Sequence, residues 1–262
     1  MRRKLIPWLV PLALLLLWQV SGSVGWLSNR VLPTPAAVLA AGWHLGASGE
    51  LASHIAISAQ RAAVGFAIGG GIGLLLGILT GSSRIAEDLI DGSVQMLRTV
   101  PHLALIPLVI LWLGVGEAAK IFLVALGVLF PIYLNTHHGV RTVDSGLIEM
   151  ARVYGLGRWD LFRKVLLPGA LPSILIGVRY ALGVMWLTLI VAETIAATSG
   201  IGYLAMNARE FLRTDVVVLS ILLYALLGKL ADSVARWLER RLLPWHPAHA
   251  VALPAALPGE GA

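Results

Sequence analysis

The sequence predicts an all-α, polytopic membrane protein of about six transmembrane helices with both termini in the cytoplasm. Of its 262 residues 58% are hydrophobic and only 13% charged, and a mean hydropathy of +0.83 is far above that of a soluble domain. The apolar residues gather in runs of about 20, the length that crosses roughly 30 Å of hydrocarbon as a helix. Lys and Arg are shared unevenly between the loops that join those runs. Backbone groups in lipid must bond within their own segment unless strands close into a barrel, and runs this long and apolar suit helices.

The first span, roughly Leu5 to Trp26, follows Arg2, Arg3 and Lys4. Basic residues, an apolar stretch and then Ser21, Gly22 and Ser23 also resemble a secretory signal, but the run continues through Leu27, beyond the roughly 15 residues of a signal core, so it reads as an uncleaved span. Leu32 to Ser58 is polar enough to lie outside the membrane. Within it Thr34 and Pro35 mark a helix start, a capping hydroxyl before proline at the first helical position. Gly46 and Gly49 are expected to end this short helix on the periplasmic surface.

The second span, Arg61 to Thr80, carries Gly65, Gly69, Gly73 and Gly77, continued by Gly81. Glycine at every fourth position, drifting about 40° around the helix per step, lets another backbone approach closely, which in lipid substitutes for a hydrophobic drive to associate. The third span, Val94 to Leu113, contains Pro101 and Pro107, and the fourth, Lys120 to His138, contains Pro131. Each proline removes a donor and is expected to kink a continuous helix. His137 and His138 are adjacent and lack metal-site spacing, so no metal is expected. The fifth and sixth spans run from Pro172 to Ala192 and from Val216 to Val234. Residues 1–246 are thus expected to form the membrane domain, and 247–262, rich in Pro, Ala and Gly, a disordered cytoplasmic tail.

Orientation follows from the short loops. Arg2, Arg3, Lys4, Arg84, Arg98, Arg141, Arg152, Arg158, Arg163, Lys164, Arg236, Arg240 and Arg241 fall on one side, against Arg30, Arg61, Lys120, Arg209 and Arg213 on the other, and the richer side is cytoplasmic. The net charge of +6 is explained by this topology, so nucleic acid is not expected as a partner. With no cysteine, thiol catalysis and thiolate metal sites are excluded.

The loop from Asp144 to Pro172 is too patterned for a connector. Asp144 or Ser145 caps a first helix, Gly155 and Gly157 turn the chain, and Trp159, Phe162, Val165 and Leu166 line one face of a second helix that Pro168 is expected to end. Its apolar face needs a cover: the lipid surface, its own bundle, or a groove on another protein.

Glu149, Ala151, Gly155, Val165, Leu167 and Pro168 resemble the cytoplasmic signature of importer-type ABC permeases, Glu-Ala-Ala, three residues, Gly, nine residues, Ile, one residue, Leu-Pro, with Met150 and Val165 as the departures. Leu32 to Pro35, Arg98 to Pro107, Leu111 to Glu117, Ala192-Glu193 and Gly200 to Tyr203 are similar to the branch serving aliphatic sulfonates, taurine and nitrate. The resemblance implies a homodimer in the bacterial inner membrane whose loop, residues 144–172, docks on a cytoplasmic ATPase subunit, with a periplasmic substrate-binding protein delivering a small organic anion. No cofactor is expected in this chain; ATP and Mg would be used by the ATPase, since no Lys here completes Gly-x-x-x-x-Gly-Lys-Ser/Thr.

Ionisable groups within spans mark candidate paths. Arg179, about 10 Å into the fifth span at about 1.5 Å per residue, either attracts the passing anion, forms a structural ion pair or snorkels to the interface. Arg98, His102 and Gln95 near the inner end of the third span, and Glu193 and Thr194 at the outer end of the fifth, are further candidates, Glu193 for ordering a periplasmic gate or contacting the binding protein. An ion-gradient-driven secondary transporter is the alternative, but within the expected spans the clearest carboxylate is Asp232. No nucleophile and base pair suggests an enzyme.

Overall fold

The computed structural model describes residues 2–245; the expected tail, 247–262, lies outside them. Among the described residues every regular element is helical: α1 (Arg2–Ser23), α2 (Pro35–Ala47), α3 (Glu50–Ser82), α4 (Arg84–Thr99), a 3₁₀ turn (His102–Leu105), α5 (Ile106–Leu113), α6 (Glu117–Arg141), α7 (Ser145–Val153), α8 (Arg158–Leu161), a π-helical turn (Phe162–Leu166), α9 (Leu167–Ala196), α10 (Ile201–Glu210) and α11 (Thr214–Leu242). Four helices are long and apolar enough to cross a membrane: α3, the run Arg158–Ile195, α6 and α11. The pair made by α4 and His102–Leu113 is a fifth if counted as one broken span. In α1, Leu14, Leu16 and Leu17 are exposed, a surface that suits lipid and not water.

The helix start at Thr34 forms as its residues dictate. Thr34 is extended, its Oγ1 accepts the Ala37 N–H at 3.3 Å, and Pro35 follows at the first helical position. Gly49, at φ +79°, turns the chain directly into α3. The second span therefore does not begin at Arg61: the stretch from Glu50 to Ser58 is helical too, with Glu50 and Ser53 exposed and Ser58 turned inward.

Two proline expectations are corrected. The continuous third span from Val94 to Leu113 does not form. Val100 is extended at ψ 120°, as a residue before proline must be when its α region is blocked, and the helix breaks there. Pro107 falls in the first turn of α5, where a missing N–H breaks no bond. Pro168, conversely, does not end a helix. The Leu167 N–H reaches back to Phe162 O, a π-type bond, and this wider turn carries the chain past Pro168 into α9 without a stop.

The chain divides into two compact units. The first comprises Met1–Gly65, Leu103–Val124 and Trp186–Gly228. In it Val38, Ala41 and Leu45 of α2 meet Leu204 and Ala208 of α10 and Val216 and Leu219 of α11, while Ile106 and Val109 of α5 meet Ala119 and Leu123 of α6 and Ala192 of α9. A Cβ on Gly65 would lie 2.6 Å from Val124 Cγ1.

The second unit comprises Phe66–His102, Ala125–Met185 and Lys229–Ala262. Here α3 and α6 meet through glycine: a Cβ would lie 2.0 Å from Ala125 O at Gly69, 2.5 Å from Leu129 O at Gly73 and 2.6 Å from Thr136 Cβ at Gly77, whereas at Gly71 it would meet nothing within 4 Å. Next to this seam Glu87 and Asp91 of α4 and Thr80 of α3 bond to α6. Tyr133 donates to Asp91 Oδ1 at 2.6 Å, Thr80 and His137 Nδ1 share a bond of 2.9 Å, and Arg141 pairs with Glu87. Ile85, Leu89 and Met96 on α4 stay exposed, so this helix is amphipathic with its apolar face outward, as lipid favours.

Candidate functional site

In the first unit α3 places His54, Ser58 and Arg61 on one face at helical spacing, and Arg61 becomes the centre of a buried charge node. Its Nη1 donates to Glu193 Oε1 at 2.8 Å and to Ser199 O at 2.7 Å; its Nη2 donates to Ser199 Oγ at 2.9 Å. Nε and Nη2 together grip Glu117 at 2.5 and 2.6 Å, the paired geometry that suits guanidinium and carboxylate. Lys120 Nζ reaches Glu117 at 3.1 Å. Arg61 and Glu193 are 2% and 1% exposed.

Glu193 is held from all sides. Ser58 Oγ lies 2.8 and 2.9 Å from its two oxygens, and Tyr224 Oη and the Gly202 N–H each donate to Oε2 at 2.9 Å. The same side chains also fix the backbone that enters α10: Ser58 Oγ accepts the Ile201 N–H at 2.9 Å and His54 Nδ1 accepts the Gly200 N–H at 3.0 Å. Glycine is required at residue 200, with φ +105° and no room for a Cβ beside Glu193 and Arg61. An unpaired charge buried here would be costly, so Arg61 and Glu193, both buried, depend on their partners.

This node is where the reading of the sequence most needs correction. Arg61 and Lys120 were placed among the flanking charges of the less basic side; both are buried within helices and paired. Glu193, expected at the outer end of the fifth span, lies in the last turn of α9 and is buried at 1% exposure, whereas Asp232 is 32% exposed. Sequence reasoning missed Ser58, Glu117 and Tyr224 altogether. The available signal was the spacing of His54, Ser58, Arg61 and Gly65 along one helical face.

In the second unit the loop after α6 is a helical hairpin. Asp144 caps α7, accepting the Gly146 N–H at 2.7 Å, and Gly155 turns the chain at φ +78°. Ala151 is buried, while Glu149 is exposed beside Met150, Val153 and Tyr154, the last three at 52%, 86% and 78%. Trp159 stacks on Phe162 at 5.8 Å yet remains 70% exposed. Val165, Leu167 and Pro168 are half-buried; Val165 and Pro168 line a cleft with Leu147, Met150, Ala151 and Tyr154. Exposed apolar groups of this kind suit the surface of another protein or of the lipid.

The remaining candidates have settings of their own. Arg179 Nε donates to Asp232 Oδ1 at 2.8 Å, the ion pair weighed above; Gln95 donates to Asp91 at 3.2 Å; Thr194 bonds back to Val191 O in its own helix. Arg98 is exposed in the last turn of α4 and His102 is half-buried in the 3₁₀ turn. Among the described residues no group of three His, Asp or Glu side chains could hold a metal ion.

Long apolar helices whose charges are turned inward and mutually paired, together with an exposed helical hairpin, define a polytopic membrane protein of the transport class. Comparison with known proteins gives the family. Residues 72–244 match the model for the binding-protein-dependent transport system inner membrane component. The chain is 65% identical over 246 residues, 94% of each chain, to the putative aliphatic sulfonates transport permease protein of Escherichia coli K12, and 50% identical to that of Bacillus subtilis 168 over 90% of this chain and 86% of that one. The crystal structure of an amino acid ABC transporter with histidines shares the fold at a TM-score of 0.63, with 16% identity, over 76% of this chain and 96% of that one. The chain belongs to the permeases of binding-protein-dependent ABC importers, in the aliphatic sulfonate, taurine and nitrate branch, and is a multi-pass protein of the inner membrane.

Proposed function

We propose that two copies of this chain form the translocation path of an ATP-driven importer for aliphatic sulfonates. The observation that carries this is the 65% identity, along 94% of each chain, to a putative aliphatic sulfonates permease. Six spans, α1, α3, α4 with α5, α6, α9 and α11, would leave both termini cytoplasmic and put the Arg61 node towards the periplasm. The hairpin within 144–172 would dock by Glu149 to Gly155 on a separate ATPase subunit, which uses ATP and Mg, and a periplasmic binding protein would deliver the anion. ATP binding would close the ATPases, move the docked hairpins and rock the spans between inward-open and outward-open states. Arg179, Arg98, His102 and Gln95 are proposed for the inner part of the path; Glu193 and Thr194 order its outer end.

The test is uptake of radiolabelled ethanesulfonate into proteoliposomes holding the permease, its ATPase and its binding protein. Uptake is expected only with ATP on the ATPase side and with both partners present. Uptake driven by a proton or sodium gradient without ATP would instead establish the secondary transporter.

A further inference from the structure

The two carboxylates on Arg61 are held very differently. The Glu193 side chain has no exposure and receives Ser58, Tyr224 and the Gly202 N–H as well as Arg61. The Glu117 side chain is 56% exposed and is held by Arg61 and Lys120. It can therefore swing into solvent without leaving buried acceptors unbonded. The cations cannot follow: Arg61 and Lys120 are 2% and 4% exposed. With Glu117 gone they face Glu193 alone, one positive charge in excess in a buried setting, which is costly until an anion fills the gap.

Beside Lys120 lies an apolar crevice lined by Ile106, Ile110, Val115, Ala119, Leu123 and Ile195, whose free space of about 10 Å³ is that of a single water. An ammonium group that lines an apolar crevice and a guanidinium edge that shares its carboxylate oxygen match a compact anionic head on a short alkyl tail. Resting on the sulfonate reading above, we propose that Arg61 and Lys120 form an alkanesulfonate subsite. Glu117 fills it in this state as an internal stand-in for the anion. The arriving head group displaces the Glu117 carboxylate, taking the fork of Nε and Nη2 and the Lys120 ammonium, while the tail opens the crevice.

The test is equilibrium binding of radiolabelled butanesulfonate, with butanol as the neutral control, to the importer complex in nanodiscs. Glu117→Gln keeps the shape and removes the charge; it is expected to bind butanesulfonate at least about tenfold more tightly than wild type, with butanol unchanged. The same ligand is expected to raise the melting temperature of Glu117→Gln more than that of wild type, and adding Lys120→Gln to remove both gains. Equal butanesulfonate binding by wild type and Glu117→Gln, or an equal gain for butanol, overturns the subsite. If wild type takes up butanesulfonate and the gain is missing, the subsite alone fails; if wild type takes up no alkanesulfonate, the sulfonate reading falls and the subsite with it.

Discussion

Arg61 and Met150 occupy opposite settings. The guanidinium, 2% exposed, bonds to two carboxylates and to Ser199, whereas the thioether, 52% exposed, lies on a helix whose apolar side chains Val153 and Tyr154 also face outward. One region buries charge and satisfies it internally; the other exposes apolar surface that only a partner or lipid can cover. Buried, mutually satisfied charges resist removal of any one member, and exposed apolar groups cost the isolated chain little to change. Damage to the first should appear as lost stability, and damage to the second as lost association.

The sharpest way to break this contrast is within the node. Glu193→Ala takes one of the two carboxylates from Arg61 and the shared acceptor from Ser58, Tyr224 and the Gly202 N–H, and is expected to destabilise the protein by roughly 3 to 5 kcal/mol, read as a fall in melting temperature in detergent. Next comes the glycine seam. Gly69→Val forces a side chain into Ala125 O, and overpacking of this kind costs about 1 to 3 kcal/mol. Gly71→Ala on the same helix meets nothing within 4 Å and is expected to stabilise by about 0.5 to 1 kcal/mol; a gain at both positions would show that helix propensity, and not close approach, governs α3. In the hairpin turn, Gly155→Val puts a β-branched residue at φ +78°, a left-handed conformation that costs it about 1 to 2 kcal/mol. That variant should remain in the membrane and lose ATP-dependent uptake; normal uptake would refute the docking role of the turn.

Local signals were the legible ones. The Thr34 and Pro35 helix start, the close-approach glycines and the Gly155 turn each depend on residues within a turn or two of themselves. What escaped depended on distant partners or on how a neighbouring turn adapts. Arg61 and Lys120 look like flanking charges because the carboxylate that buries Arg61 is 132 residues away. Pro168 looks like a stop because the rule assumes α-type bonds, and the π-type bond from Leu167 to Phe162 removes the conflict. Pro101 looked like a kink but breaks the helix, because Val100 before it is forced to be extended. The family signature was legible because its spacing survives intact across two helices, even with Met150 and Val165 in place of the usual residues.

The most direct test of the central claim is to measure melting temperature and ATPase co-purification together for a Met150→Asp, Val153→Asp double variant and for Glu193→Ala. The account predicts that the hairpin variant keeps the wild-type melting temperature and loses the ATPase, while Glu193→Ala loses stability first. A hairpin variant that retains the ATPase, or that melts as early as Glu193→Ala, would contradict it.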